Sequence, residues 1–210
     1  MARIIIKGIL DFLVLIVYRI KIIGKENIPK EGAALICPNH IHALDSVCIV
    51  VTAKRPIRGL AKESLYRFWI LRFLSKTFGM YPVKKDVSSI NTIKTAFNIL
   101  KKGELLLIFP EGTRNGMAKG EKVKNGAVNI AIKSGVPIIP MGVQGKFKPF
   151  RKVKLNVGKP IYYDKNKIDV KNKEEIDKLT NELMQEIVRL RDEDNGKSNK
   201  RSRWKKWVMN

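Results

Sequence analysis

Ala33-Ala34-Leu35-Ile36-Cys37-Pro38 is a six-residue apolar run, and Asn39-His40-Ile41-His42-Ala43-Leu44-Asp45 follows it directly. An unbroken apolar run without alternation is the pattern of a strand buried on both faces of an α/β sheet. Pro38 has no N–H to continue the ladder, so the strand stops there. The polar segment after it therefore begins beyond the end of a buried strand, where open α/β sheets place their ligands. From there the chain turns into a helix carrying Ser46 to Ala53.

The rest of the chain repeats this alternation. Strand-like runs end at Gly24 and cover residues 79–83 (GMYPV), 104–109 (ELLLIF), 136–143 (VPIIPMGV) and 152–157 (KVKLNV), the last alternating as a half-buried strand does. Helical stretches lie between them. Residues 62–78 carry aromatics and leucines. Residues 88–102 form the clearest helix, with Ser88 or Ser89 as cap, an apolar stripe of Ile90, Ile93, Phe97 and Leu100, and Gly103 as its stop. Residues 125–134 form a shorter helix ended by Gly135. Ile176, Leu179, Leu183, Ile187 and Leu190 mark a long C-terminal helix with an acidic start and a basic end, which suits the helix dipole. The expected class is α/β, a central mainly parallel or mixed sheet flanked by helices. Its 210 residues make one domain, residues 1–195, followed by a tail, residues 196–210.

Composition narrows the partners. Lys and Arg number 42 against 19 Asp and Glu, a net charge of +23. Such an excess predicts anionic partners: nucleic acid, an anionic membrane surface or phosphorylated substrates. No zinc-finger spacing, RNP-like stretch or helix-turn-helix accompanies it, and the cations are scattered, so nucleic acid is not the expected partner. Cys37 and Cys48 are too few for a disulfide scaffold or a Cys-based zinc site. No metal-ligand cluster is visible, and no metal is expected.

Residues 4–23 are mostly apolar but are broken by Lys7, Asp11, Arg19 and Lys21, leaving Phe12 to Tyr18 as the longest clean run. A spanning helix needs about 20 apolar residues, and no small-residue cleavage site follows. The expectation is a helix over 3–17 that lies in a membrane interface or docks on the domain. Residues 196–210 hold six cations, two tryptophans and no acid, a candidate tail for an anionic surface.

The chain has two histidines, His40 and His42, so candidate acid–base groups are few. A histidine that takes a proton is helped by a carboxylate that fixes its tautomer and stabilises its cation. In one continuous helix, His40 and Asp45 would sit about 140° apart. They can meet only if His40 lies in the turn before the helix and Asp45 in its first turns. His42 and Asp45, three apart, would be ordinary helical neighbours. A second constellation, Phe109-Pro110-Glu111-Gly112-Thr113-Arg114, also follows a buried strand. Gly112 lets backbone approach a ligand, Arg114 can fork onto a phosphate and Glu111 can accept from a polyol. Between these lies Gly79-Met80-Tyr81-Pro82-Val83-Lys84-Lys85, a strand ending in two cations. Cys37, buried on its strand, reads as inert.

The ordered set of Asn39 to Asp45, Gly79 to Lys85, Phe109 to Arg114 and Val136 to Pro140 resembles the glycerophospholipid acyltransferase family, over about residues 18–160. That family carries N-H-x4-D, a Gly…Arg block, F-P-E-G-x-R/S and a V-P-hydrophobic-hydrophobic-P block, in this order. Here Lys85 stands where the family has Arg, which keeps the charge and loses the bidentate fork. The resemblance implies transfer of an acyl group from a thioester to lysophosphatidic acid, or to another lysophospholipid or glycerol phosphate. It implies His40 as general base and Asp45 as its orienting anion. It further implies Lys85 and Arg114 on the phosphate, and Glu111, Gly112 and Thr113 at the glycerol end. It implies no cofactor beyond acyl-CoA or acyl carrier protein as donor substrate, and attachment to the cytoplasmic face of a membrane, monotopic or peripheral. A backbone N–H near the helix after His40 is the expected oxyanion donor.

Overall fold

The computed structural model describes residues 2–53, 55–83 and 90–193. Seven strands form one sheet: β1 (Ile20–Ile23), β2 (Ala34–Pro38), β3 (Ile57–Lys62), β4 (Met80–Val83), β5 (Leu105–Leu107), β6 (Ile138–Gly145) and β7 (Val153–Val157). Their order is β1-β7-β6-β2-β5-β3-β4. Strands β2 to β6 run parallel to one another. The β6–β7 pair is antiparallel, and β1 is parallel to β7, so the sheet is mixed. The helices are α1 (Ala2–Val17), α2 (Asp45–Thr52), α3 (Trp69–Thr77), α4 (Ile90–Lys101), α5 (Gly126–Ser134) and α6 (Lys173–Asp192).

Strand β2 is buried along its whole length, and its residues divide between the two sheet faces. Ala34 and Ile36 join one core with α2, Met141, Val143 and Leu155. Leu35 and Cys37 join the other, with α4, α5 and α6. A strand that faces two apolar layers has no polar side, which is why its sequence does not alternate.

Three elements differ from the sequence expectation. Residues 57–62 form β3, because Arg58, the charge that hides its strand pattern, is paired: Nη2 lies 2.6 Å from Glu104 Oε1. The expected helix over 62–78 is consequently shorter, with a 3-10 turn at Glu63–Arg67 before α3. In α4 the buried face is Thr92, Ala96, Ile99 and Leu100, whereas Ile90 and Ile93 are exposed. The small Ala96 sits at the centre of the packed face, so the true stripe is rotated from the one marked by the largest side chains. The expected cap residues, Ser88 and Ser89, lie outside the described residues, as do Lys85 and the tail over 196–210.

The C-terminal helix is the expected amphipathic element. Asn172 Oδ1 accepts from the Glu175 N–H at its start. Ile176, Leu183, Ile187 and Leu190 are buried, each such side chain contributing about 1.5–3 kcal/mol. Its last turn lies on β6 at Gly142, where a Cβ would stand 2.1 Å from the Arg191 nitrogen. Helix α1 packs Val14 and Leu15 against the first core and leaves Ile9, Phe12, Leu13 and Ile16 exposed. No helix among the described residues is long and apolar enough to cross a membrane.

Gly142→Ala should therefore destabilise the protein by about 3 kcal/mol or more, because the backbones of β6 and α6 must part. Gly32→Ala, at φ 75 but in open space, should cost about 1 kcal/mol. Urea unfolding midpoints of the two variants would check the ranking.

Candidate active site

Strand β2 does not simply fray at Pro38. The buried Asn39 side chain continues the ladder to β6: its Oδ1 accepts from the Val143 N–H at 2.6 Å, and its Nδ2 donates to the Val143 carbonyl at 3.0 Å. The next residue, His40, is thus delivered at a fixed height above the sheet edge. Its N–H donates to Glu111 Oε1 at 2.8 Å, and its carbonyl accepts from the Asn115 N–H at 2.6 Å. Its ring stacks on Phe109 with centroids 4.0 Å apart.

Asp45 closes the turn. It is the first residue of α2, fully buried, and its Oδ2 lies 2.9 Å from His40 Nδ1. The same oxygen accepts from the Ile41 N–H at 2.7 Å and the His42 N–H at 2.8 Å. His40 is in the turn and Asp45 in the first turn of the helix, the arrangement that their spacing required. With Asp45 ionised, Nδ1 carries the proton and Nε2 keeps its lone pair. The His40 side chain is 18% exposed, so the pair can be reached from solvent. The placement can support removal of a proton from a hydroxyl by Nε2 while a buried anion stabilises the resulting imidazolium.

His42 is held differently. Its Nδ1 accepts from the Leu44 N–H at 3.2 Å, and its ring lies flat on Phe147, 8° from parallel. Its backbone, not its ring, meets Asp45: the N–H donates to Oδ2 and the carbonyl accepts from the Asp45 N–H.

The loop after β5 supports this turn from the other side. Gly112 has φ 71, and its N–H donates to the Phe109 carbonyl at 3.0 Å. Only glycine adopts that conformation without strain. Glu111 is buried, and one of its oxygens serves the His40 N–H, so it faces inward as a clamp on the histidine backbone. Thr113 Oγ1 donates to Glu121 Oε2 at 2.6 Å. Arg114 is exposed, and Lys85 lies outside the described residues. Four of the backbone N–H groups near the start of α2 are taken within the turn itself. The N–H groups of Ile41, His42, Leu44 and Asp45 are all committed within the turn, to Asp45, to His42 Nδ1 and to the His42 carbonyl.

Sequence reasoning missed four residues here. Asn39 had a signal, a polar residue at a strand end, but its bond to Val143 spans 104 positions. Phe109 looked like a strand residue and acts as a platform for the His40 ring. The Lys124 stem covers Gly112, bringing a further cation over the loop. Arg191 sits half-buried on the last turn of α6. Its hydrogen bonds to Asp192 hold the guanidinium above its ordinary pKa despite burial, and the charges of Asp192 and Glu111 add to the effect.

The two thiols stand apart from this chemistry. Both cysteines are free and buried. Burial alone pushes Cys37 up, and burial together with the Asp45 charge pushes Cys48 up to about 12.

A family model described as Acyltransferase matches residues 19–144. The 1-acyl-sn-glycerol-3-phosphate acyltransferase of Bacillus subtilis is 32% identical over 179 residues, covering 81% of this chain and 87% of that protein. The protein of the same name from Borreliella burgdorferi is 31% identical over 177 residues, covering 81% and 71%. Among solved structures, the 1-acyl-sn-glycerophosphate (LPA) acyltransferase PlsC from Thermotoga maritima superposes with a TM-score of 0.64. It is 24% identical and covers 92% of this chain and 83% of that one, a likeness of fold.

At pH 8 neither thiol ionises appreciably, since a raised thiol pKa favours the neutral form. Iodoacetamide should leave the native protein unlabelled and modify both cysteines only after unfolding. Mass spectrometry showing rapid native labelling of Cys48 would contradict this placement.

Proposed function

This chain belongs to the acyltransferase family, and from that membership we propose that it acylates the free hydroxyl of 1-acyl-sn-glycerol 3-phosphate, giving phosphatidic acid. The observation that carries the reading is the His40–Asp45 pair, 2.9 Å apart at the end of β2, in a chain about a third identical to relatives named for this acylation.

The donor is a fatty acyl thioester, on coenzyme A or on acyl carrier protein. The acceptor oxygen attacks the thioester carbonyl carbon while His40 Nε2 takes its proton, a role worth about 10²–10⁴-fold. As the tetrahedral intermediate collapses, the C–S bond breaks and the imidazolium returns the proton to the leaving sulfur. Asp45 stabilises the imidazolium in between and keeps Nε2 turned outward. Phe109 and Glu111 restrict the ring and backbone of His40, so little orientation is lost when the substrates meet. Arg114 and Lys85 hold the acceptor phosphate, and Gly112 and Thr113 line the approach of its glycerol. Glu111 acts on the acceptor through the position of His40. The long-chain acceptor resides in a bilayer, and the exposed stripe on α1 supports peripheral attachment at the cytoplasmic face.

His40→Ala should lower turnover at least about 10³-fold with the fold retained, whereas His42→Ala should keep most activity. Asp45→Asn should lose activity and also stability, about 1–3 kcal/mol, because three donors lose their anion. A thiol-release assay with an acyl thioester and lysophosphatidic acid, read beside a urea titration, separates the two effects. An active His40→Ala would overturn the assignment. Arg114→Ala should raise the KM for the acceptor roughly ten- to a hundredfold, with the donor KM little changed. Equal changes in both constants would remove Arg114 from the phosphate.

A further inference from the structure

We propose that the protein seats its site edge on an anionic bilayer through two separate aromatic and cationic patches, one on the β6–β7 loop beside α1 and one on α3. The inference rests on the reading of the acceptor as a bilayer lipid and adds to it the surface that meets the bilayer.

The first patch is residues 146–152, which hold Lys146, Lys148, Arg151 and Lys152 and no acid. Phe150 stands 69% exposed at φ 62. A bulky residue in the left-handed region is strained, so something must hold it there. Its N–H donates to the Val17 carbonyl at 2.6 Å, and the Val153 N–H donates to the Tyr18 carbonyl at 3.2 Å. These bonds fasten the loop to the end of α1. The exposed residues Ile9, Phe12, Leu13 and Ile16 follow the i, i+3, i+4, i+7 spacing of one helix face. The apolar stripe of α1 thus runs toward Phe150, with four cations beside it.

The second patch lies at the other end of the sheet. Phe68 is 65% exposed and Trp69 78% exposed, and Phe73 is also exposed. Arg67, Arg72 and Lys76 are interleaved with them, and no acid occurs between Ser64 and Val83. Strand β3 leads directly into this segment, as β6 leads into the first loop. Both patches therefore follow the C-terminal ends of parallel strands, with β2 and β5 between them in the sheet order. A flat surface that touches both spans the edge carrying His40.

The occupant follows from charge and polarity. Exposed aromatics among cations match an interface whose headgroups are negative and whose interior is apolar. A second copy of the chain would bring cations against cations. An acidic carrier protein would satisfy the cations and leave the α1 stripe in water.

The test is co-sedimentation of the full chain with phosphatidylcholine vesicles, with and without phosphatidylglycerol, over a salt series. Phe150→Asn is the first variant, because asparagine tolerates the left-handed region and the fold should not suffer. The second is Phe68→Ser with Trp69→Ser, and the third replaces the four loop cations by Gln. Each of the three should weaken binding to anionic vesicles about tenfold or more at low salt. Combining the first two should remove nearly all binding. Only the Gln variant should flatten the salt dependence. Turnover of vesicle-borne acceptor should fall in step with binding, while turnover of a monomeric short-chain acceptor stays at the parent level. Unchanged binding in all three variants would overturn the seat. So would a parent dimer in sedimentation velocity that the variants dissolve, or variants that raise only the KM for an acyl carrier protein donor. A parent protein with no turnover of the short-chain acceptor would overturn the acylation reading, while the vesicle series would still decide the seat.

Discussion

One carboxylate oxygen, Oδ2 of Asp45, holds the site together. It gathers His40 Nδ1 and the N–H groups of Ile41 and His42, all within 3 Å. Because Asp45 is buried, each of these bonds is stronger than it would be at the surface. The turn closes on the residue that opens α2, because Asp45 is also the helix's first residue. A negative charge there is favoured by the helix dipole. The His40–Asp45 pairing, the turn geometry and the helix start therefore share one side chain. The five-residue spacing follows: a shorter spacing would leave no room for the turn, and a longer one would move the carboxylate away from the ring.

Around that anion, other conserving contacts hold the backbone of His40 from three strands. Asn39 ties it to β6, Glu111 reaches it from the loop after β5, and β2 itself delivers it. Breaking a buried backbone–carboxylate bond strands its donor, at a cost of about 1–3 kcal/mol. The motif residues thus stabilise the fold at the turn. Glu111 shows this directly: one oxygen of a side chain expected at the glycerol end accepts from the His40 N–H.

What was legible in the sequence was whatever local spacing controls. The β2 run, the helix stops at Gly103 and Gly135, and the His40–Asp45 turn are set by neighbours within about five residues, and each is present. What was hidden depends on distant partners. Strand β3, which the sequence reading leaves unassigned, carries Arg58, whose partner Glu104 lies 46 positions away. The buried face of α4 turned on Ala96, whose small size matters only once a packed layer covers it. Arg191 lay at the end of a helix with an ordinary dipole role, and only the docking of α6 on Gly142 brings it near Glu111. The order of the motifs marked the strand ends, but not which of their polar groups face inward.

The antiparallel β6–β7 pair has a consequence beyond sheet order. If β7 had continued parallel, the end of β6 would have needed a crossover to the opposite edge. Instead the chain turns back at once, and β1 lies parallel to β7, with Ile20 opposite Val153. Since Val153 stands opposite Gly145 at the end of β6, the start of β1 lies at the site edge. Helix α1 ends at Val17, three positions before Ile20, so its C-terminal turn is brought to the same edge as His40. The Tyr18 and His42 rings both contact Phe147, which closes the connection. One reversal of strand direction thus places an amphipathic helix, a cationic loop and the His40 turn along one margin. The place of α1 beside the site follows from the sheet register alone, and it brings the end of the exposed α1 stripe to the margin that holds the histidine.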